Sequence, residues 1–262
     1  MKQMKCMCGA MLIMALFTAC QNESKQQVAS DDWSNYHVGY IAFEDKAPES
    51  RGSAIYHQII TNPEAYITAQ AKDVLSTLYF SPADSIVRVD TLHYSLQDIK
   101  GISAKDGGNG VVSIFYSTQH IEKSFADSDT AKVLFETRGV LLHELTHAYQ
   151  LEPQGIGNYG NSRVFWAFIE GMADAVRIAN GGFGEGARPI GGNYMDGYRT
   201  AGYFFVWLRD NKDPDFLKKF NRSTLEVIPW SFDGAIKHVL GQEYNIDELW
   251  YEYQVAVGDI KA

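Results

Sequence analysis

Residues 130–150 read TAKVLFETRGVLLHELTHAYQ, and the fold turns on how this stretch is read. Asp129 stands before it as a helix cap, and Val133, Leu134, Val140, Leu141 and Leu142 supply an apolar approach at helical spacing. The spacing predicts one helix from Thr130 to Gln150 that carries His143-Glu144-Leu145-Thr146-His147 near its end. Residues four apart on a helix lie one above the other, so the imidazoles of His143 and His147 can meet one Zn²⁺ from a single face. Glu144 lies about 100° round from His143 and is placed to reach a water on that ion rather than to ligate it.

A catalytic zinc takes three protein ligands and leaves a position open. The candidate third ligand is Glu170, in Phe168-Ile169-Glu170-Gly171-Met172-Ala173-Asp174. Val164 to Asn180 is predicted as a second helix, ended by Gly181-Gly182, and residues 152–160 form a loop that lets it fold back on the first. Phe165, Trp166, Phe168 and Ile169 make the approach to Glu170 apolar, and a carboxylate without a partner there is costly. Asp174 is one turn further on, from where it can bond the outer nitrogen of a ligand histidine.

Working outward from this pair of helices, the chain divides in two. Before residue 130, Tyr36 to Phe43, Ile86 to Tyr94 and Val111 to Tyr116 alternate or run apolar as strands. Pro63 to Tyr79 reads as a helix, and Asp106-Gly107-Gly108-Asn109-Gly110 reads as a turn. After it come helices at 197–210, 214–220, 232–240 and 246–256. A strand-rich first half before a helix-rich second half is an α+β pattern, without βαβ alternation or an internal repeat. Val111 to Ser117 has two readings, an edge strand that pairs with extended substrate or an internal core strand. Tyr194, Tyr198, Tyr203, Phe204, Phe205 and Trp207 either line a pocket or, at helical spacing, belong to the core.

The start of the chain is of a different kind. Lys2 and Lys5, the apolar run Ala10 to Phe17 and then Thr18-Ala19-Cys20 read as a signal peptide over residues 1–19, too short to span a membrane. Leu16 and Ala19 before Cys20 resemble a bacterial lipobox, so Cys20 is expected to carry lipid and residues 20–32 to act as a tether. Residues 33–262 then form a single domain, expected as a monomer. A plain secreted protein, with Cys20 incidental, is the alternative. Cys6 and Cys8 leave with the leader, so the domain holds no cysteine and no disulfide. The chain has 45% hydrophobic and 21% charged residues, ordinary globular values. Its formal charge of -9 argues against nucleic acid or an anionic membrane as the main partner.

The set His143, His147, Glu170 and Asp174 resembles the gluzincin arrangement of thermolysin-type peptidases. It is more closely similar to the family of plant basic secretory proteins and their bacterial relatives, regarded as metallopeptidases. The family pattern HExxHxxQ appears as His143 through Gln150, and EGxADxxR as Glu170, Gly171, Ala173, Asp174 and Arg177. Gly197-Tyr198 with Phe204, and Leu249-Trp250-Tyr251-Glu252-Tyr253 near the end, resemble two further family segments. The match covers about residues 36–253. Two departures stand out: the chain is acidic, and its leader resembles that of a bacterial lipoprotein, which suggests a tethered, exported protein.

The resemblance implies a zincin-like fold and hydrolysis of peptide or protein substrates, and the leader adds the expectation that this happens outside the cytoplasm, with membrane contact only through Cys20. Glu144 is expected as the base and Tyr198 as the donor to the developing oxyanion, with His238 as its rival. His37, His57, His93 and His120 lack partner spacing and are expected to be structural or surface residues. Two other functions remain open from sequence: a non-catalytic binding module on the same fold, and zinc-dependent hydrolysis of a glycopeptide or cell-wall amide.

Overall fold

The structure, a computed structural model, describes residues 33–184 and 186–261. The leader, Cys20 and the tether lie outside the described residues. The architecture is α+β: a four-stranded sheet in the first half and mainly helices in the second.

The sheet is built from β1 (Tyr40–Asp45), β2 (Val89–Gln97), β3 (Ser103–Gly108) and β4 (Gly110–Ser117), in the order β1-β2-β4-β3. β1 pairs parallel to β2, and β2 parallel to β4. A parallel pair needs a long crossover, and α1 (Arg51–Ile59) with α2 (Pro63–Leu78) provides the first one. The sequence gives no sign of this β-α-α-β unit, because α1 is short and carries Gly52 in its first turn. That glycine is needed there: a Cβ would stand 2.0 Å from the carbonyl oxygen of Thr118.

β3 and β4 form an antiparallel hairpin turned at Asn109 and Gly110, which take φ of 51° and 89°. The segment that reads as a turn, Asp106 to Gly110, is therefore the last part of β3 plus the bend. β4 slots between β2 and β3, so Val111–Ser117 is an interior strand and the edge-strand reading is corrected. The sheet's edges are β1 and β3, and the exposed, glycine-containing pattern of β3 gave no strand signal.

After α3 (Thr118–Ser124) the chain enters α4 (Thr130–Tyr149), capped as expected by the Asp129 carboxylate on the amides of Ala131 and Lys132. α5 (Arg163–Ala179) is capped by Ser162. There follow a 3-10 turn, Tyr194–Asp196, and α6 (Tyr198–Asn211), α7 (Phe216–Glu226), α8 (Phe232–Leu240) and α9 (Ile246–Ala256). α4 packs on α2, α5 and β3, and α5 packs on α6. One apolar cluster runs from Trp33 through the sheet to Tyr253. Phe204 and Phe205 belong to it, so that part of the aromatic run is core. Among the described residues no helix is long and apolar enough to cross a membrane.

The C-terminal end of α4 is tied on three sides. The Tyr149 hydroxyl donates to the Val38 carbonyl at 2.5 Å, and the Tyr79 hydroxyl donates to the Tyr149 carbonyl at 2.6 Å. Beyond the helix, the Leu151 amide donates to Asn221 on α7. These bonds involve buried groups and fix the pitch and rotation of the helix that carries the two histidines.

α5 and α6 approach most closely at Gly202. A Cβ there would lie 2.9 Å from the Ala175 nitrogen and 3.0 Å from the Cβ of Asp174. Gly202→Ala should therefore destabilise the protein by about 1–3 kcal/mol, despite the better helix propensity of alanine. Urea unfolding followed by circular dichroism should show a lower midpoint at unchanged slope. A midpoint at or above the wild-type value would contradict this close packing.

Candidate metal centre

His143 and His147 point their Nε2 atoms at each other, 3.0 Å apart, with the ring planes crossed at 89°. Glu170 approaches from α5, its Oε2 lying 3.3 Å from one Nε2 and 3.7 Å from the other. One ligand atom from each of the three residues falls within 4.8 Å of the others, the arrangement of a group that could hold one metal ion. Glu170 Oε2 is buried without a hydrogen-bond partner. An orphaned carboxylate oxygen aimed between two imidazole nitrogens fits a bound cation, and two neutral imidazoles with one carboxylate suit zinc-type coordination.

The outer nitrogens are also engaged. His143 Nδ1 lies 2.7 Å from Asp174 Oδ1, so Asp174 faces the imidazole and not the point between the Nε2 atoms. His147 Nδ1 lies 2.8 Å from the side-chain nitrogen of Gln150, whose Oε1 is buried and has no partner. Turned over, that amide presents the oxygen to Nδ1–H, satisfying it and leaving Nε2 free for a metal. Gln150 follows His147 by three positions and shares its face, so helical spacing alone could have assigned it this contact.

Glu144, Glu170 and Asp174 are 6%, 3% and 4% exposed, so three carboxylates are nearly out of water. Their surroundings separate them. Burial alone works to raise Glu170, but the two histidines beside it outweigh burial and hold the carboxyl well below its usual range. Burial likewise disfavours the His143 cation, yet Asp174 and Glu170 push the imidazole up to about 10. Negative charge thus gathers round the Nε2 atoms, a setting that favours a cation there. Glu144 moves the other way, raised chiefly by burial, with His143 and His147 only partly countering it.

The group sits at the floor of an open cleft of about 1050 Å³. Ser103, Ala104 and Lys105 of β3 line one side, and Tyr159, Tyr198 and Arg199 contribute to its wall. Tyr198 stacks on His143, ring centroids 6.0 Å apart and 12° from parallel, and meets Trp166 edge-on. It begins α6 at φ 41°, an uncommon conformation for a tyrosine. The preceding Gly197 is obligatory, since a Cβ would lie 2.8 Å from the Trp166 ring. Sequence reasoning missed Tyr159, whose hydroxyl donates to Glu170 Oε1 at 2.5 Å. It comes from a loop without periodicity, where no local signal points to it.

The other histidines stand apart. His238 on α8 bonds Glu226 at 2.8 Å and does not line the cleft. His37 accepts from the Gly39 amide, and His57 pairs with Asp45. His93 is exposed on β2, and His120 bonds Glu136.

A family model described as a peptidase of plants and bacteria matches residues 39–253. The chain belongs to that family. It is the family that the HExxHxxQ and EGxADxxR motifs resemble, and the site lies within the matched span. No curated protein and no solved structure matches the chain.

In this peptidase, His147→Ala should abolish retention of the metal through dialysis, because two ligands hold an ion far more weakly than three. Asp174→Asn should keep the fold and weaken metal affinity by roughly 10- to 100-fold. Elemental analysis and competition with a chelator read both effects. Full metal occupancy in His147→Ala would remove that residue from the ligand set.

Proposed function

We propose that this chain is a zinc metallopeptidase that cuts peptide bonds outside the cytoplasm. The observation that carries the reading is the convergence of His143, His147 and Glu170 at the floor of an open cleft, in a chain that belongs to a family of peptidases. Zn²⁺ held by these three residues would act as a Lewis acid on the scissile carbonyl and lower the pKa of a water beside it. Glu144 takes the proton of the attacking water at a carboxylate oxygen and delivers it to the leaving amine nitrogen. Burial keeps that carboxylate from being solvated, which favours its taking up the proton.

Asp174 and Gln150 hold the imidazoles of His143 and His147 in orientation through their Nδ1 atoms. Tyr159 braces Glu170 through its outer oxygen. Tyr198 is the donor to the oxyanion, since its ring is held against His143 at the cleft wall. The unpaired edge of β3 offers main-chain hydrogen bonds to an extended peptide lying in the cleft.

Glu144→Gln should leave the metal in place and lower kcat by two or more orders of magnitude, because the amide cannot accept the proton. Peptide hydrolysis and metal content, measured on the same preparation, test this together. Near-normal turnover with metal bound would sink the mechanism.

The proposal extends to location. Lys2, Lys5, the apolar run and the small residues before Cys20 support a lipid anchor, with the polar residues 21–32 as spacer. Cys20→Ser should move the protein from the membrane fraction to the soluble one. Wild-type protein found soluble, with another mature N-terminus, would leave a plain secreted enzyme.

A further inference from the structure

We propose that the cleft contains a carboxylate-binding subsite made by Arg177 and Arg199 around the ring of Phe183, with Lys105 elsewhere on the same cleft lining. It would select peptides that bear a carboxylate close to the bond to be cut. This deepens the peptidase reading and rests on it.

Three cations, Lys105, Arg177 and Arg199, line this cleft together with the carboxylates of Glu136, Glu144, Glu152, Glu170 and Asp174, and two of the three meet at Phe183. Arg177 is built in. It is 9% exposed, its Nε donates to the Gly182 carbonyl at 2.9 Å, and its Nη2 donates to Glu136 at 2.8 Å. The guanidinium carbon sits 4.0 Å from the centroid of Phe183. Two glycines make the slot. A Cβ on Gly139 would stand 2.5 Å from Nε, and one on Gly182 would stand 2.7 Å from Cγ. Gly139 precedes His143 by four residues on α4, which puts the slot about 6 Å along the helix axis from the first histidine.

The two guanidiniums beside Phe183 differ in their partners. Glu136, on α4, is the carboxylate paired with Arg177, and it is shared with His120 from α3 through its other oxygen at 3.1 Å. Arg199 is exposed at the start of α6, 5.9 Å from the Phe183 centroid, and donates to the Ala187 carbonyl. Lys105 on β3 donates to the Gly107 carbonyl. Among the described residues neither of these two has a carboxylate partner. Asp174, the next acid on this wall, is taken by His143. A substrate carboxylate entering beside Phe183 meets two guanidinium groups, of which only that of Arg177 has a carboxylate partner among the described residues, and guanidinium is the planar donor that suits a carboxylate. Phe183 offers an apolar face to the carbons that carry it. The cleft as a whole is not basic, since Glu144, Glu152 and Glu170 also line it.

A Glu or Asp side chain and a free C-terminus present the same group. The full chain, supplemented with zinc, is incubated with a proteome-derived peptide library, and the cut sites are read by mass spectrometry. Enrichment of Asp or Glu at one fixed position near the cut, or cutting at a fixed distance from a free C-terminus, is the expected result. Matched peptides with Glu→Gln or with an amidated end tell the two sources apart.

Arg199→Glu should lower kcat/KM for the carboxylate peptide by about tenfold or more and leave the neutral twin within about twofold. Absence of enrichment, or equal loss on both twins, overturns the subsite while the peptidase reading stands. If the library is not cut at all, that reading fails instead. The subsite is then judged by fluorescence anisotropy of labelled Glu and Gln peptides on Glu144→Gln protein. Tighter binding of the Glu peptide, lost in Glu144→Gln/Arg199→Glu, supports the subsite, and equal binding overturns it.

Discussion

Two carboxylates one turn apart on α5 face two imidazoles one turn apart on α4, and the packing of the helical half is set by keeping those four groups in register. A rotation of either helix by one residue swings its side chains by about 100° and breaks every contact at once. The phases are fixed locally, by Asp129 at the start of α4 and Ser162 at the start of α5. They are then locked by bonds from Tyr79, Tyr149 and Asn221 at the far end of α4. Burying Glu144, Glu170 and Asp174 in an otherwise apolar layer opposes folding, and imidazoles alone offset it only in part. Glu170 Oε2, left without a hydrogen bond, shows where the compensation is incomplete and where a cation would supply it.

The remaining elements each deliver something to this pair. The hairpin of β3 and β4 places an unpaired strand edge along the cleft, and the insertion of β4 beside β2 keeps that edge fixed to the core. α6 starts against α5 through Gly197 and Gly202, so Tyr198 arrives over His143 and Arg199 beside Phe183. The loop after α4 returns Tyr159 to the outer oxygen of Glu170. Residues far apart in sequence thus meet around one group that could hold a metal ion, and the rigid parts of the fold carry most of them.

What the sequence made legible follows the same division. The α4 and α5 helices, the Asp129 cap and the convergence of His143, His147 and Glu170 depend on local periodicity, and they were readable from spacing. β3 was not, because its residues are mostly exposed, two of its six are glycine, and its partner is chosen by the order of the sheet. The same long-range order made Val111–Ser117 ambiguous, since an edge strand and an interior strand can have one sequence pattern. The parallel pairing of β1 with β2 was hidden by the short helix α1. Arg177 was visible as part of a motif, but its slot requires Gly139 and Gly182 to meet, which no local pattern encodes. Gln150 was legible in principle and Tyr159 was not.

Net charge and the groups at a site need not agree, and under the proposed subsite the difference would bear on how substrate is chosen. An acidic surface repels an anionic peptide at a distance, but at physiological salt that repulsion is largely screened beyond about 8 Å. Inside the cleft the screening weakens, and Arg177 is held rigidly by Gly182, Glu136 and the face of Phe183. A rigid donor loses little entropy when a carboxylate docks, so the attraction is expressed at contact and not during approach. Discrimination between peptides would then lie mainly in how long each stays bound beside Glu144. Under the proposed mechanism the rate would then depend on how the scissile carbonyl is positioned against Glu144 and the group of His143, His147 and Glu170.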